Sequence, residues 1–155
     1  SQMLEPYYET HSPGFAALRT SARELLQKDA DLAEIVQLVG KSSMGENDKV
    51  TLEVARIIKD DYLQQNGISE YDCYCPFYKT TGMLRNMILY HEKAQAAINN
   101  TPEMTWARIR EHTSDVMYRL SQQKFEDPKD GEEAIAAKYE QLASDMTEAF
   151  RSLAD

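Results

Sequence analysis

Basic charge is scarce in this sequence. Among 155 residues there are 17 Lys and Arg against 26 Asp and Glu, a formal charge of −9. Nucleic-acid recognition needs a basic face that neutralises phosphates, and adhesion to an anionic membrane needs basic clusters, so neither class is expected. No run of 18 apolar residues occurs, so nothing is expected to insert into a bilayer. Cysteine is rarer still. Cys73 and Cys75 stand two apart and cannot clip a long loop, which argues against a disulfide framework and for a reducing compartment. The opening SQMLEPYYET has no basic start and no apolar stretch, so it does not read as a secretory signal.

The motifs of catalysis are missing as well. There is no GxxxxGK[ST] to cradle a triphosphate, no GxGxxG and no GxSxG. His91-Glu92-Lys93-Ala94-Gln95 begins like a zinc helix and then puts a glutamine where the second histidine belongs. His11, His91 and His112 lie far apart with no supporting CxxC, so no metal ligand is assigned. Carboxylates are so abundant that pairing two as acid and base would be arbitrary. No catalytic residue is assigned.

What is present is helical periodicity. The 6 glycines and 5 prolines fall between periodic stretches. Ser12-Pro13 reads as a cap and first turn, followed by Phe15, Leu18, Ala22, Leu25 and Leu26 at helical spacing. A second, short helix is expected from about Asp31, with Leu32, Ile35, Val36 and Val39 on one side and Gly40 as its stop. A third begins near Asn47 or Asp48, carries Val50, Val54, Ile57, Ile58 and Leu63, and ends at Asn66-Gly67. Pro76 opens another, with Met83, Met87, Tyr90, Ala94 and Ala97 as its stripe and Gly82 weakening it early. Pro102 and Thr105 start a helix carrying Trp106, Ile109, Val116, Met117 and Leu120, with a break expected near Thr113-Ser114. After the turn Glu126–Gly131, the last helix places Ile135, Tyr139, Leu142, Met146, Phe150 and Leu153 on one face, the cleanest pattern in the chain. No segment alternates as a strand would. The expectation is an all-α bundle of about six antiparallel helices joined by short loops, one domain over residues 1–155.

Three constellations admit two readings each. The loop Gly40–Lys49 is either a solvated connector with Met44 tucked against its helices or a contact tip. In the second reading Met44 is a soft surface and Glu46 and Asp48 face a basic partner. Ile68, Tyr71 and Tyr74, three apart, are either core or one face that sandwiches a planar ring. Cys75, just before Pro76, is either an inert thiol or a thiolate favoured by a helix N-terminus.

The wording of the chain adds a resemblance. LAEIVQLVGK (Leu32–Lys41), VTLEVARIIKDDYLQQNG (Val50–Gly67), CPFYKTTGML (Cys75–Leu84) and the closing KYEQLASDMTEAFRSLAD resemble the C-terminal helical domain of the catalytic A subunits of V-type proton ATPases. The likeness covers essentially the whole chain, and CPFYKT points to the eukaryotic branch.

Several expectations follow from that likeness. In that family A and B subunits alternate in a ring, and ATP and magnesium are bound on a central nucleotide-binding domain. A fragment lying after that domain would hold no cofactor itself and would not hydrolyse ATP alone. The resemblance makes Lys41, Ser42, Ser43, Met44, Gly45, Glu46 and Asp48 the tip that bears on the central rotor shaft. It makes Ile68, Tyr71 and Tyr74 the adenine contact, and Cys75 a cysteine that can pair with one in the phosphate loop. The implied partners are the B subunits, the rotor shaft and the chain's own nucleotide-binding domain. The implied location is the cytosolic side of vacuolar or endosomal membranes, in a peripheral complex. Two other classes stand beside it on composition alone: a stand-alone acidic helical binding module, and a small redox sensor using Cys73 and Cys75.

Overall fold

The computed structural model describes residues 14–40, 42, 44–63 and 77–154. Among them run six α-helices: α1 (Phe15–Val39), α2 (Glu46–Ile58), α3 (Phe77–Asn100), α4 (Trp106–His112), α5 (Ser114–Gln122) and α6 (Glu132–Ala154). A π-helical turn, Lys59–Leu63, extends α2, and 3-10 turns at Gln123–Phe125 and Pro128–Asp130 lead into α6. No strand occurs among the described residues. This is the all-α bundle that the periodicity predicts, although the helices divide differently.

Two expected helices fuse into α1. No glycine or proline lies between Phe15 and Val39, and Asp31, which suggested a new N-terminus, finds a lateral partner instead, as does its neighbour Asp29. Asp31 accepts a hydrogen bond from Gln27 at 3.1 Å, and Asp29 accepts one from Lys59 in the π turn after α2 at 2.9 Å. The helix stops where expected. Gly40 takes φ +89°, a left-handed backbone that glycine adopts without strain, and its N–H caps the Val36 carbonyl at 2.9 Å. The expected cap Ser12-Pro13 and the expected end at Asn66-Gly67 lie outside the described residues.

One expected helix divides in two. Thr105 caps α4 with its hydroxyl, which accepts from the Arg108 N–H at 3.2 Å. At Thr113 the hydroxyl turns back to donate to the Ile109 carbonyl at 2.7 Å, which also accepts the Thr113 N–H at 2.9 Å. The chain restarts as α5 at Ser114, beside the predicted break.

The centre of the bundle is α3, which packs most extensively on α6 and α2. Direction is set by side-chain pairs. Asn47 and Thr51, early in α2, bond Asn99 and His91, late in α3, so these two helices run antiparallel. Tyr90 meets Trp106 and Thr113, while Asn86 meets Gln123, so α4 and α5 run back along α3. After that alternation α6 lies parallel to α3. Gly82 and Asn86 face Tyr139, and Tyr90 faces Phe150 with ring centroids 5.4 Å apart.

The core follows the predicted stripes closely. Val50, Val54, Ile57 and Ile58 are buried, as are Met83, Met87, Tyr90 and Ala94, and all six predicted positions of α6. One buried polar network crosses this core. Asn86 donates to Gln123 at 2.8 Å and to the Tyr139 carbonyl at 3.1 Å, and the Tyr139 hydroxyl donates to the Gln123 carbonyl at 3.0 Å. Buried polar groups are tolerable when each finds its partner, and such a network fixes the register of three elements at once.

Candidate functional site

Beside the predicted tip α1 ends in an exposed apolar surface, and the two acids of the tip are hydrogen-bonded within the fold. In α1, burial ends at Leu32. The expected stripe placed Ile35 and Val39 against the core with Leu32; instead they are 46% and 61% exposed, and Leu38 is 83% exposed. The reason is geometric. Ile35, Val36, Leu38 and Val39 spread over a wide arc of the helix, more than one neighbouring helix covers. A signal for this was readable, since four apolar residues in five positions exceed the face that a two-helix contact buries.

The acids of the loop are occupied. Glu46 is the first residue of α2, and its carboxylate accepts the backbone N–H of Trp106, the first residue of α4, at 2.8 Å. Its other oxygen accepts from Lys49 at 3.1 Å. Asp48 reaches back to the N–H of Gly45 at 3.4 Å, half of a capping box. Ser42 and Gly45 are exposed and Met44 is half-buried, while Lys41 and Ser43 lie outside the described residues.

The contacts of Glu46 hold its carboxyl below the usual value of 4.5, the Trp106 N–H contributing most and Lys49 adding, against the opposing effect of burial. A carboxyl lowered in the folded state stabilises the fold above its unfolded pKa and loses that contribution on acidification. Glu46→Ala is therefore expected to cost about 1 kcal/mol at neutral pH. Its gap to the parent chain in urea midpoint should shrink as pH falls below 4.5. A gap that holds constant from pH 7 to about pH 3.5 would show that the ionised Glu46 does not tie α2 to α4.

The incomplete zinc helix has another use. His91 Nε2 lies 3.1 Å from Gln95 Nε2 and 3.2 Å from Thr51 Oγ1. The glutamine amide is a donor, so the ring nitrogen accepts and the imidazole is neutral, carrying its proton on Nδ1. Burial pushes the His91 pKa down from 6.5, consistent with that state. The residue that spoils a zinc motif thus makes a hydrogen bond between successive turns of α3. Among the described residues no group of three or more His, Cys, Asp or Glu is arranged to hold a metal ion.

Ile68, Tyr71, Tyr74 and Cys75 lie outside the described residues; Asp61 before them and Lys79 after them are described. The chain leaves through the π turn, where Asp61 is 6% exposed while Lys59 and Asp60 face solvent. It returns in the first turn of α3, where Lys79 is fully buried. Asp61 accepts from Lys124 Nζ at 2.6 Å, and Lys79 Nζ donates to the Lys124 carbonyl at 2.8 Å. Asp61 and Lys79 lie inside segments that carry the resemblance, but nothing in the sequence joins either of them to Lys124. A five-residue π turn is invisible to periodicity, and only the fold brings Lys124, sixty-three positions on, beside Asp61.

Comparison with known proteins gives this geometry its context. The family model for the C-terminal domain of V and A type ATP synthase matches residues 4–107. Isoform 1 of the catalytic A subunit of the Drosophila melanogaster V-type proton ATPase is 54% identical over 98% of this chain, which corresponds to 26% of that protein. The catalytic A subunit of the Caenorhabditis elegans V-type proton ATPase is also 54% identical, over 98% of the chain and 26% of its own length. Its counterpart in Manduca sexta is 51% identical over 98% of the chain and 25% of its length. The chain spans about a quarter of the length of the curated relatives it matches. With a family match over two thirds of its residues, near-complete coverage by these relatives and an all-α bundle, the chain belongs to the family of C-terminal domains of V and A type ATP synthases.

Proposed function

We propose that this chain works as the lever within the catalytic A subunit of a V-type proton pump, turning nucleotide-driven closure into rotation of a central shaft. The observation that carries the reading is the alignment of 98% of the chain, at 54% identity, with the catalytic A subunit of a V-type proton ATPase. On this reading ATP and magnesium are held upstream, on a nucleotide-binding domain, and the chain by itself does not hydrolyse ATP. Phosphoryl transfer depends on a phosphate cradle, a metal and a positioned arginine, and the sequence has no phosphate loop. Ile68, Tyr71 and Tyr74 contribute the adenine contact, with Ile68 covering the ring by dispersion. Cys75 is the thiol able to pair with a phosphate-loop cysteine under oxidation. B subunits, the rotor shaft and the chain's own nucleotide-binding domain are its partners. It serves from the cytosolic side of a vacuolar or endosomal membrane, without inserting in it. No helix among the described residues is long and apolar enough to cross a membrane.

Lever action suits the tip. Packed helices resist compression, so a displacement at one end of the bundle reaches the other nearly undiminished. The apolar Ile35, Leu38 and Val39 at the end of α1, with Met44 beside them in sequence, form a surface that can bear on a shaft by shape. Charge has a smaller part, because Glu46 and Asp48 are engaged within the fold. In the assembled pump, a crosslinker carried on Leu38→Cys or Ser43→Cys is expected to capture a component of the rotor shaft. Capture of ring subunits only, with and without nucleotide, would remove the lever reading.

A further inference from the structure

We propose that the groove between the last turns of α3 and α6 is a docking site for a helix of another protein, acidic and amphipathic. The proposal takes from the preceding reading only that the chain works within a larger assembly.

Two helices build the groove. α3 and α6 run parallel, and near their C-terminal ends they stand on either side of a hollow of about 350 Å³. α3 lines it with Lys93, Ala97 and Asn100, and α6 with Thr147, Arg151 and Ala154. Both sets step by four and then by three, so each follows one helical face over two turns, about 10 Å. Met104 and Phe150, both buried, supply an apolar floor. Two parallel walls over such a floor receive the apolar face of a third helix. A bare anion would use the rim and leave the floor empty. No residue of α1 or α2 lines the groove, so it is separate from the apolar surface at the end of α1.

Charge selects the occupant. A second hollow, of about 430 Å³, lies across the last turn of α6; it is lined by Arg108 and His112 of α4 and shares Leu153 with the first. The Lys and Arg lining the two hollows are Lys93, Arg108 and Arg151, against a single acid, Glu111. The chain as a whole runs the other way, with 26 acids to 17 Lys and Arg. Lys93 and Arg108 form no salt bridge among the described residues. Arg151 is held by Glu148 at 2.5 Å, but both side chains are more than half exposed, and an exposed pair of that kind exchanges partners at little cost. A carboxylate on an incoming helix therefore meets two unengaged cations and a third that can turn to it, while the same rim repels a basic segment.

The test uses the assembled ATPase on its membrane, with p-benzoylphenylalanine in place of Thr147 at the edge of the groove. Irradiation is expected to capture one segment of a partner subunit. Sequencing of the crosslinked peptide should show a net negative stretch with apolar residues at steps of three and four. Lys93→Glu combined with Arg108→Glu should cut that capture roughly ten-fold, and replacing an acid of the captured segment by lysine should restore it. Should the double reversal fail to assemble, Lys93→Gln decides: capture must fall in that variant, and must fall in the parent as salt rises. Absence of capture, capture of lipid or of the catalytic A subunit itself, a captured segment that is basic or not amphipathic, or capture indifferent to these changes would each overturn the proposal. Shaft capture from Leu38→Cys succeeds or fails independently, because α1 lines no part of the groove.

Discussion

Replacing Tyr90 with alanine is expected to lower the unfolding free energy of this chain by about 4 kcal/mol, the range found for large aromatic truncations in a closed core. Tyr90 is fully buried on α3 and lies edge-on to two rings, Trp106 at 6.4 Å and Phe150 at 5.4 Å. It is the point where α3, α4 and α6 meet, so no single helix can collapse into the space left behind. Tyr90→Phe separates packing from hydrogen bonding. The phenol oxygen lies 2.7 Å from Thr113 Oγ1, whose own proton goes to the Ile109 carbonyl, so Tyr90 is the donor. Thr113 keeps its partner when the phenol is removed, and the cost should be about 1 kcal/mol.

Tyr90 also has a pH signature. Burial, with a smaller push from the Glu53 charge, raises its pKa from 10.0 to about 12. An acid raised in the folded state leaves stability untouched below its unfolded pKa and erodes it above, because the unfolded chain releases the proton first. Between pH 10 and about 12 the parent chain should therefore lose stability that Tyr90→Phe retains, and the gap between the two should narrow. Urea unfolding at about pH 9 and about pH 11 measures both effects. A gap that does not change with pH would mean that Tyr90 ionises like an exposed tyrosine.

Gly82→Ala is the second large effect, and its sign is the informative part. Helix propensity alone expects a gain of about 1 kcal/mol from removing a glycine inside α3. The fold expects a loss. A Cβ at this position would lie 2.5 Å from Tyr139 Cδ2 and 3.0 Å from its Cε2. That ring cannot retreat. Its hydroxyl is bonded to the Gln123 carbonyl, and its backbone carbonyl accepts from Asn86. Overpacking of this kind costs about 1 to 3 kcal/mol net, several degrees in Tm for a chain of this size. With Tyr139→Ala already in place, the same glycine substitution should become neutral or favourable. A higher denaturation midpoint for Gly82→Ala alone would refute the close approach of α3 to α6.

Much of this fold was legible in the chain because burial follows a strong period. All six apolar positions predicted for α6 are buried, as are the main stripes of α2 and α3. A helix with one apolar face has only one way to hide it. The errors lie where a local signal had two outlets. Asp31 could have capped a new helix, but it bonds Gln27 and α1 runs on unbroken. Ile35 and Val39 looked like core by spacing and are exposed, because spacing records which residues share a face and not whether anything covers it. Glu46 stood between two readings, a connector residue or an acid facing a partner, and in the fold its carboxylate accepts the N–H at the N-terminus of α4, sixty residues away. The adenine and rotor residues came from the wording of the chain rather than from its periodicity. Ile68, Tyr71, Tyr74 and Cys75 fall outside the described residues.

By itself, then, the sequence determined the helices, their buried faces and, through its wording, the family. Those are properties of neighbours along the chain, where a turn of helix and a cap act within a few residues. Tertiary structure alone decided which polar groups are engaged, and by what. Whether Glu46 faces a partner or a helix end, whether Gly82 is a weakness or a necessity, and whether Lys124 is a free surface cation or the partner of Asp61 all depend on contacts across dozens of residues. Side-chain polarity states what a group needs, and only the packed fold states where that need is met.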